Sequence, residues 1–124
     1  MNRSRVAVVT VALGAAFLAA CNSADKPATS TMGNAKLGKK AIEKYGCGSC
    51  HTIPGVKEAD GLVGPPLEKF SERSFIAGQL ANTEENLARW IRNPQEVEPG
   101  TAMPNLGVSQ EDAENIAAYI TTIK

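Results

Sequence analysis

Two cysteines and the single histidine of the chain lie within five consecutive residues, Cys47-Gly48-Ser49-Cys50-His51. The two residues between the cysteines are small and suit a tight turn, which lets both thiols reach one flat group. A histidine directly after the second cysteine is typical of covalent haem attachment, in which two thiols bind one porphyrin and the imidazole binds its iron. The motif predicts one haem c per chain, attached through Cys47 and Cys50, with His51 as iron ligand.

The same cysteines allow three other interpretations: a structural disulfide, a thioredoxin-like redox pair, or half of a zinc site. Zinc requires further Cys or His ligands at characteristic spacings, and the sequence offers none. A thioredoxin-like pair is expected beside a βαβ pattern, which is also missing. A structural lipoprotein with an incidental motif is a further alternative.

Met103 is the candidate for the second axial ligand. One histidine excludes bis-histidine ligation, and of the three methionines Met1 and Met32 lie ahead of the first predicted helix. Met103 lies far downstream, in a loop that contains Pro99 and Pro104. A thioether opposite an imidazole fills both axial positions and favours the reduced iron. This predicts a single-electron carrier; the alternative is a haem enzyme or gas-binding sensor with an open iron site.

Residues 1–20 have the pattern of a bacterial export signal. Arg3 and Arg5 precede an apolar run over residues 6–20, which is too short for a comfortable membrane span. The run ends in Leu18-Ala19-Ala20-Cys21, which resembles a lipobox. We therefore expect cleavage before Cys21, lipid modification of Cys21, and a protein anchored to a bacterial membrane and facing the periplasm or cell exterior. The alternative is ordinary cleavage that leaves Cys21 as a spare thiol.

The remaining chain divides into a polar, flexible linker over residues 21–34 and one small domain over residues 35–124. Lys and Arg together number 13, as do Asp and Glu, so the charge balance does not indicate a nucleic-acid partner. A monomer is expected. Lys36, Lys40 and Lys44 recur at the spacing of one helix face, which indicates either a docking surface for an acidic partner or an ordinary solvated surface.

Apolar spacing predicts three main helices and no strand. The first runs from residue 35 to 45, with an apolar stripe that starts at Leu37. The second follows Asn82, read as an N-cap with Glu85 completing a capping box, and stops before Pro94. The third follows Ser109 as N-cap. Residues 52–66 are predicted to be loop, 67–70 a helical turn, and 93–106 an extended loop.

These residues together resemble class I c-type cytochromes over residues 35–123. The resemblance is carried by Gly38 and Ile42, by the Cys47–His51 motif, by Gly64-Pro65-Pro66-Leu67, and by the run from Trp90 to Met103. Residues 82–94 and 99–105 are similar to the cytochrome domain fused to subunit II of some bacterial haem–copper oxidases. The resemblance implies an all-α cytochrome c fold with about three main helices around the haem.

The resemblance also implies residue roles. The Pro65 carbonyl would accept a hydrogen bond from the His51 ring, and Thr101 would lie near a haem propionate. Arg73 matches an arginine near a propionate, with a solvated surface arginine as the alternative. Trp90 matches an aromatic beside the methionine, and it also suits the core.

Redox proteins are the partners that the resemblance implies: a terminal oxidase as acceptor, and a quinol-oxidising complex or periplasmic dehydrogenase as donor. Two features depart from the family pattern. Pro66 stands where asparagine is common. The ring of basic residues around the exposed haem edge is missing, and Glu96 and Glu98 lie in the predicted loop around Met103, residues 93–106. The partner of basic relatives therefore does not carry over directly.

Overall fold

The structure is a computed structural model that describes residues 32–124. The predicted export signal, Cys21 and most of the predicted linker lie outside these residues. The described elements are α1 (Ala35–Lys44), β1 (Phe75–Ile76), β2 (Leu80–Ala81), α2 (Glu84–Arg92), α3 (Pro94–Val97) and α4 (Gln110–Ile120), with 3₁₀ turns at Cys47–Ser49 and Phe70–Glu72. The all-α class is confirmed, with α1, α2 and α4 as the three main helices.

Helix α1 begins and ends at polar signals in the sequence. The Asn34 side chain accepts hydrogen bonds from the backbone N–H groups of Lys36 and Leu37. The backbone N–H of Asn34 donates to Asn115 Oδ1 at 2.7 Å. After the helix, Gly46 takes a φ of 69°, the left-handed conformation that commonly ends helices. The predicted apolar stripe was wrong at one position: Leu37 is 45% exposed, and Gly38 faces α4 instead.

Helices α1 and α4 cross at very short range. A Cβ added to Gly38 would lie 1.9 Å from the Asn115 carbonyl oxygen, so no larger residue fits there without movement. Beside this contact, Ile42 and Ile116 are each 1% exposed. At the C-terminal end of α1, the Asp112 carboxylate accepts from Lys44 Nζ at 2.8 Å and from the Tyr45 hydroxyl at 2.9 Å. Lys44 is thus paired within the fold and does not stand free on the predicted lysine face.

Helix α2 is capped by Thr83, and the prediction of Asn82 as the cap was wrong. The Thr83 hydroxyl accepts from the Asn86 N–H, while the Asn82 side-chain amide donates to the carbonyl oxygens of Phe70 and Arg73. Asn82 is therefore committed to holding the preceding turn. At α4 the predicted cap is confirmed, since the Ser109 hydroxyl accepts from the Asp112 N–H.

Three further local differences lie between the main helices. The turn predicted at residues 67–70 forms at Phe70–Glu72, and β1 and β2 pair as a two-residue hairpin where no strand was expected. The predicted extended loop after residue 93 contains α3, because Pro94 occupies the first helical turn, where proline is favourable. Within residues 32–124 no helix has the length and apolar character that crossing a membrane requires.

Candidate functional site

The imidazole of His51 is held by backbone. Its Nδ1 lies 2.8 Å from the Pro65 carbonyl oxygen. Because a carbonyl accepts only, Nδ1 carries the proton, and Nε2 is left unprotonated in the neutral ring. Such a bond fixes the ring orientation and increases the basicity of the other nitrogen as a metal ligand.

The segment that follows His51 folds back against the cysteine motif. Backbone N–H groups donate from Gly61 to the Gly48 carbonyl at 3.0 Å and from Gly64 to the Cys50 carbonyl at 2.7 Å. Gly64 has no room for a side chain, because an added Cβ would lie 2.3 Å from His51 Cε1. The histidine is therefore enclosed by the backbone of residues 61–65.

A cleft of about 450 Å³ opens beside His51, and a smaller cavity of about 60 Å³ adjoins it. Cys50 lines the cleft and Cys47 lines the smaller cavity. The two spaces share five wall residues: His51, Leu67, Phe70, Trp90 and Met103. Trp90 is half-buried and also packs against the main core.

Residues 100–105, the methionine loop, bring Met103 and Thr101 to the cleft. The Met103 N–H donates to the Thr101 hydroxyl at 3.4 Å. The side chain of Gln95 holds the same loop through three hydrogen bonds, to Gly100, Thr101 and Met103. Gln95 was not predicted as a site residue, because an exposed glutamine next to a proline carries no signal of its contacts.

Arg73 also lines the cleft and is half-buried. Its Nη2 donates to the Pro66 carbonyl, and its guanidinium lies 5.0 Å from the centre of the Phe70 ring. These contacts place a positive charge at the edge of the cleft.

Both cysteines of the motif are free thiols. Burial raises the pKa of Cys47, and the charge on Cys50 adds to that direction, against a smaller opposing effect of a backbone hydrogen bond. Thiol redox centres depend on a lowered pKa, since the thiolate is the reactive form. Among residues 32–124, no three His, Cys, Asp or Glu side chains converge to hold a metal.

The residues of the cleft fit a covalently attached haem. Two free thiols line two adjoining spaces, one imidazole nitrogen is available, and a thioether lies on a shared wall otherwise formed by Leu67, Phe70 and Trp90. Apolar walls keep water from a metal centre, and a nitrogen and a sulfur donor suit haem iron. Fold and site together define a small all-α protein that binds haem c.

Comparison with known proteins gives the family. Residues 35–124 match the family model described as Cytochrome c. The chain belongs to the cytochrome c family, whose members are electron-transfer proteins with covalently bound haem c. The cofactor of this chain is accordingly haem c, and the domain transfers electrons and is not an enzyme.

Two curated relatives are both cytochrome c oxidase subunit 2. The protein of Alkalihalophilus pseudofirmus is 39% identical over 97 residues, which cover 77% of this chain and 27% of the relative. The protein of Bacillus subtilis is 32% identical over 87 residues, covering 68% of this chain and 24% of the relative. The chain thus spans about a quarter of the length of these relatives.

Proposed function

We propose that the protein is a single-electron carrier in which His51 Nε2 and Met103 hold the haem iron from its two axial positions. The observation that carries this proposal is that His51 and Met103 line both adjoining cavities together. One reaches the cleft from the cysteine motif and the other from a loop some fifty residues downstream. An iron with both axial positions filled has no site for a substrate, so its chemistry is limited to a change of charge.

Haem, when bound, supplies the reversible one-electron couple. The protein's own residues set its surroundings. Pro65 would orient His51 through the ring N–H, and the two cysteines would fix the porphyrin in the cleft. Arg73 would offset propionate charge at the cleft edge, and Thr101 would hold the loop beside it. Trp90 would shield the methionine side from water.

We further propose that the protein is exported and lipid-anchored through Cys21. The support is the basic and apolar leader that ends in the lipobox-like sequence Leu18-Ala19-Ala20-Cys21. If residues 21–34 form the linker that their composition predicts, a flexible chain of that length would have an r.m.s. span of roughly 20 Å and would let the domain move between neighbouring membrane complexes. Cell fractionation of the native chain and of Cys21→Ser tests the anchor: the native chain should remain with membranes and the variant should not.

A terminal oxidase is the proposed acceptor, with a quinol-oxidising complex or periplasmic dehydrogenase as donor. The acceptor is supported by the two relatives, in which a similar sequence belongs to an oxidase subunit. Val63 and Phe75 line the cleft together with Cys50 and are 77% and 61% exposed, and Leu62, next to Val63 in the chain, is 88% exposed. Docking through such a surface should depend only weakly on ionic strength. Reoxidation of the reduced protein by oxidase-containing membranes, followed at several salt concentrations, tests both points.

The ligand set is tested by spectroscopy of the holoprotein. The native ferric protein should show the weak near-infrared band of sulfur bound to iron, and the reduced protein should bind carbon monoxide poorly. Met103→Ala should lose the band and bind carbon monoxide readily. Met32→Ala is the matched control and should behave as the native protein. Ready carbon monoxide binding by the native protein would instead favour the haem enzyme or gas sensor.

A further inference from the structure

One side chain organises the methionine loop. Gln95 Nε2 donates to the carbonyl oxygens of Thr101 at 2.7 Å and Met103 at 3.2 Å, and Gln95 Oε1 accepts from the Gly100 N–H at 3.1 Å. Both ends of one amide are therefore used, across four consecutive loop residues. The Gly100 and Thr101 backbone is otherwise held by a single backbone bond from the Thr101 N–H to Glu98.

Gln95 is itself fixed in place. It follows Pro94, which is less than 2% exposed, and it lies on α3. Its neighbour Glu96 accepts from Arg89 of α2 at 2.9 Å. On the other side of Pro94, Asn93 Oδ1 accepts from Asn105 Nδ2 at 3.3 Å. Two amide side chains that flank a buried proline thus hold the loop on both sides of Met103.

We propose that Gln95 is a positioning residue that sets how firmly Met103 stays on the iron. The inference rests on the proposed ligation by Met103. A thioether is a weak ligand, so the loop must hold the sulfur close to the metal rather than depend on the strength of the bond itself. With haem bound, the loop would have two states: closed, with the Met103 sulfur held by the iron, and open, with the sulfur released. The Gln95 hydrogen bonds join the loop residues to α3 and would therefore favour the closed state.

The size of the effect follows from the number of bonds lost. Each solvent-exposed hydrogen bond contributes modestly, and the loss of this set should increase the open fraction about tenfold, which corresponds to about 1.4 kcal/mol. External ligands such as imidazole bind ferric haem only in the open state. Their apparent affinity therefore rises in proportion to the open fraction.

The experiment compares imidazole binding to the ferric holoprotein in three variants. Gln95→Ala removes all three bonds and should bind imidazole about tenfold more tightly. Gln95→Glu keeps the acceptor for Gly100 but loses both donors. It should keep the Gly100 amide protected from hydrogen exchange yet still bind imidazole more tightly than the native protein. Gln79→Ala, an exposed glutamine of the hairpin turn, is the control and should match the native protein.

The outcomes separate this inference from the proposed ligation. If Met103→Ala removes the near-infrared band but Gln95→Ala leaves imidazole affinity unchanged, the role of Gln95 is wrong and the ligation stands. A fall in the melting temperature of Gln95→Ala without a change in imidazole affinity would likewise reduce Gln95 to a structural role. If Met103→Ala leaves the band intact, the ligation itself is wrong.

Discussion

The two sides of the cleft are built in different ways. On the histidine side, residues 47–67 are joined by backbone hydrogen bonds and by glycines that lie against neighbouring atoms, as Gly64 does against the imidazole. On the methionine side, residues 100–105 are held chiefly by the side chains of Asn93 and Gln95. Backbone contacts of the first kind depend on shape, and polar contacts of the second kind depend on a few exposed side chains.

This difference gives each side its own sensitivity. A methyl group added at the contact between Gly64 and the imidazole forces the ring or the backbone to move, and a ring that moves loses its hydrogen bond to Pro65. Exposed hydrogen bonds exchange readily with water, so their loss shifts a population without destroying the site. The histidine would then be a permanent ligand, and the methionine the ligand whose strength the sequence can tune.

Gly64→Ala should have the largest effect. The new Cβ would lie 2.3 Å from His51 Cε1 and within 2.6 Å of Nδ1, which forces the ring away from Pro65. We expect little or no haem attached during maturation, measured as the mass increment of the purified chain. The control is Gly78→Ala: no atom lies within 4 Å of a Cβ at that position, although the φ of 71° strains an alanine there, so the control carries backbone strain without the clash. Gly78→Ala should attach haem normally. Normal attachment in Gly64→Ala would show that the histidine side does not depend on the close contact between Gly64 and the imidazole.

Gly38→Ala tests whether contact by shape is equally demanding away from the cleft. The Cβ would lie 1.9 Å from the Asn115 carbonyl oxygen, so α1 and α4 must separate. The cost should be about 1–3 kcal/mol of unfolding free energy, in spite of the better helix propensity of alanine. Denaturant unfolding measures it. Lys40→Ala, on the exposed face of the same helix, should change the unfolding free energy by less than about 0.5 kcal/mol.

Asn105→Asp tests the weaker half of the methionine side. Aspartate keeps the acceptor that Asn105 Oδ1 offers to the Gly107 N–H at 2.9 Å, but it loses the donor to Asn93. The lost bond is long and exposed, so imidazole affinity of the ferric protein should rise by no more than about threefold. An effect larger than that of Gln95→Ala would show that Asn105, and not Gln95, is the main support of the loop.

Asp112→Asn should have the smallest effect and depends on pH. Hydrogen bonds from Lys44 and Tyr45 lower the pKa of Asp112, so the folded state favours the ionised carboxylate. Its contribution to stability is present above the unfolded pKa and is lost as pH falls through the lower folded pKa. The native protein should therefore melt slightly higher than Asp112→Asn at neutral pH. That difference should disappear well below about pH 4, where the carboxylate is protonated in both states.

Much of the fold could be predicted because its main signals are local. The apolar positions of α1, α2 and α4, the Ser109 cap and the glycine after α1 each act within a few residues. Errors arose where two candidates competed. Asn82 and Thr83 are both good N-caps, and the choice depends on Asn82 being used by the carbonyls of Phe70 and Arg73, which the sequence does not show.

The candidate site also has one part with a local sequence signal and one part without. The Cys47–His51 motif predicts haem attachment by itself, because attachment to one porphyrin fixes the spacing of the two cysteines and the position of the histidine after them. The sequence of the methionine loop does not predict which residues support it. The contacts of Gln95 depend on α3, and α3 was predicted to be extended loop. Leu37 was placed in the apolar stripe for a related reason: spacing identifies a helix face, but the close approach at Gly38 decides which residues α4 covers.

The most direct test of the central claim is a proton–carbon NMR spectrum of the reduced holoprotein labelled at methionine methyl groups. If Met103 binds the iron, one methyl signal should be shifted far upfield by the ring current of the haem. That signal should be absent in Met103→Ala and unchanged in Met32→Ala. Methyl signals that all stay in the ordinary range, with the reduced iron low-spin or five-coordinate, would contradict ligation by Met103.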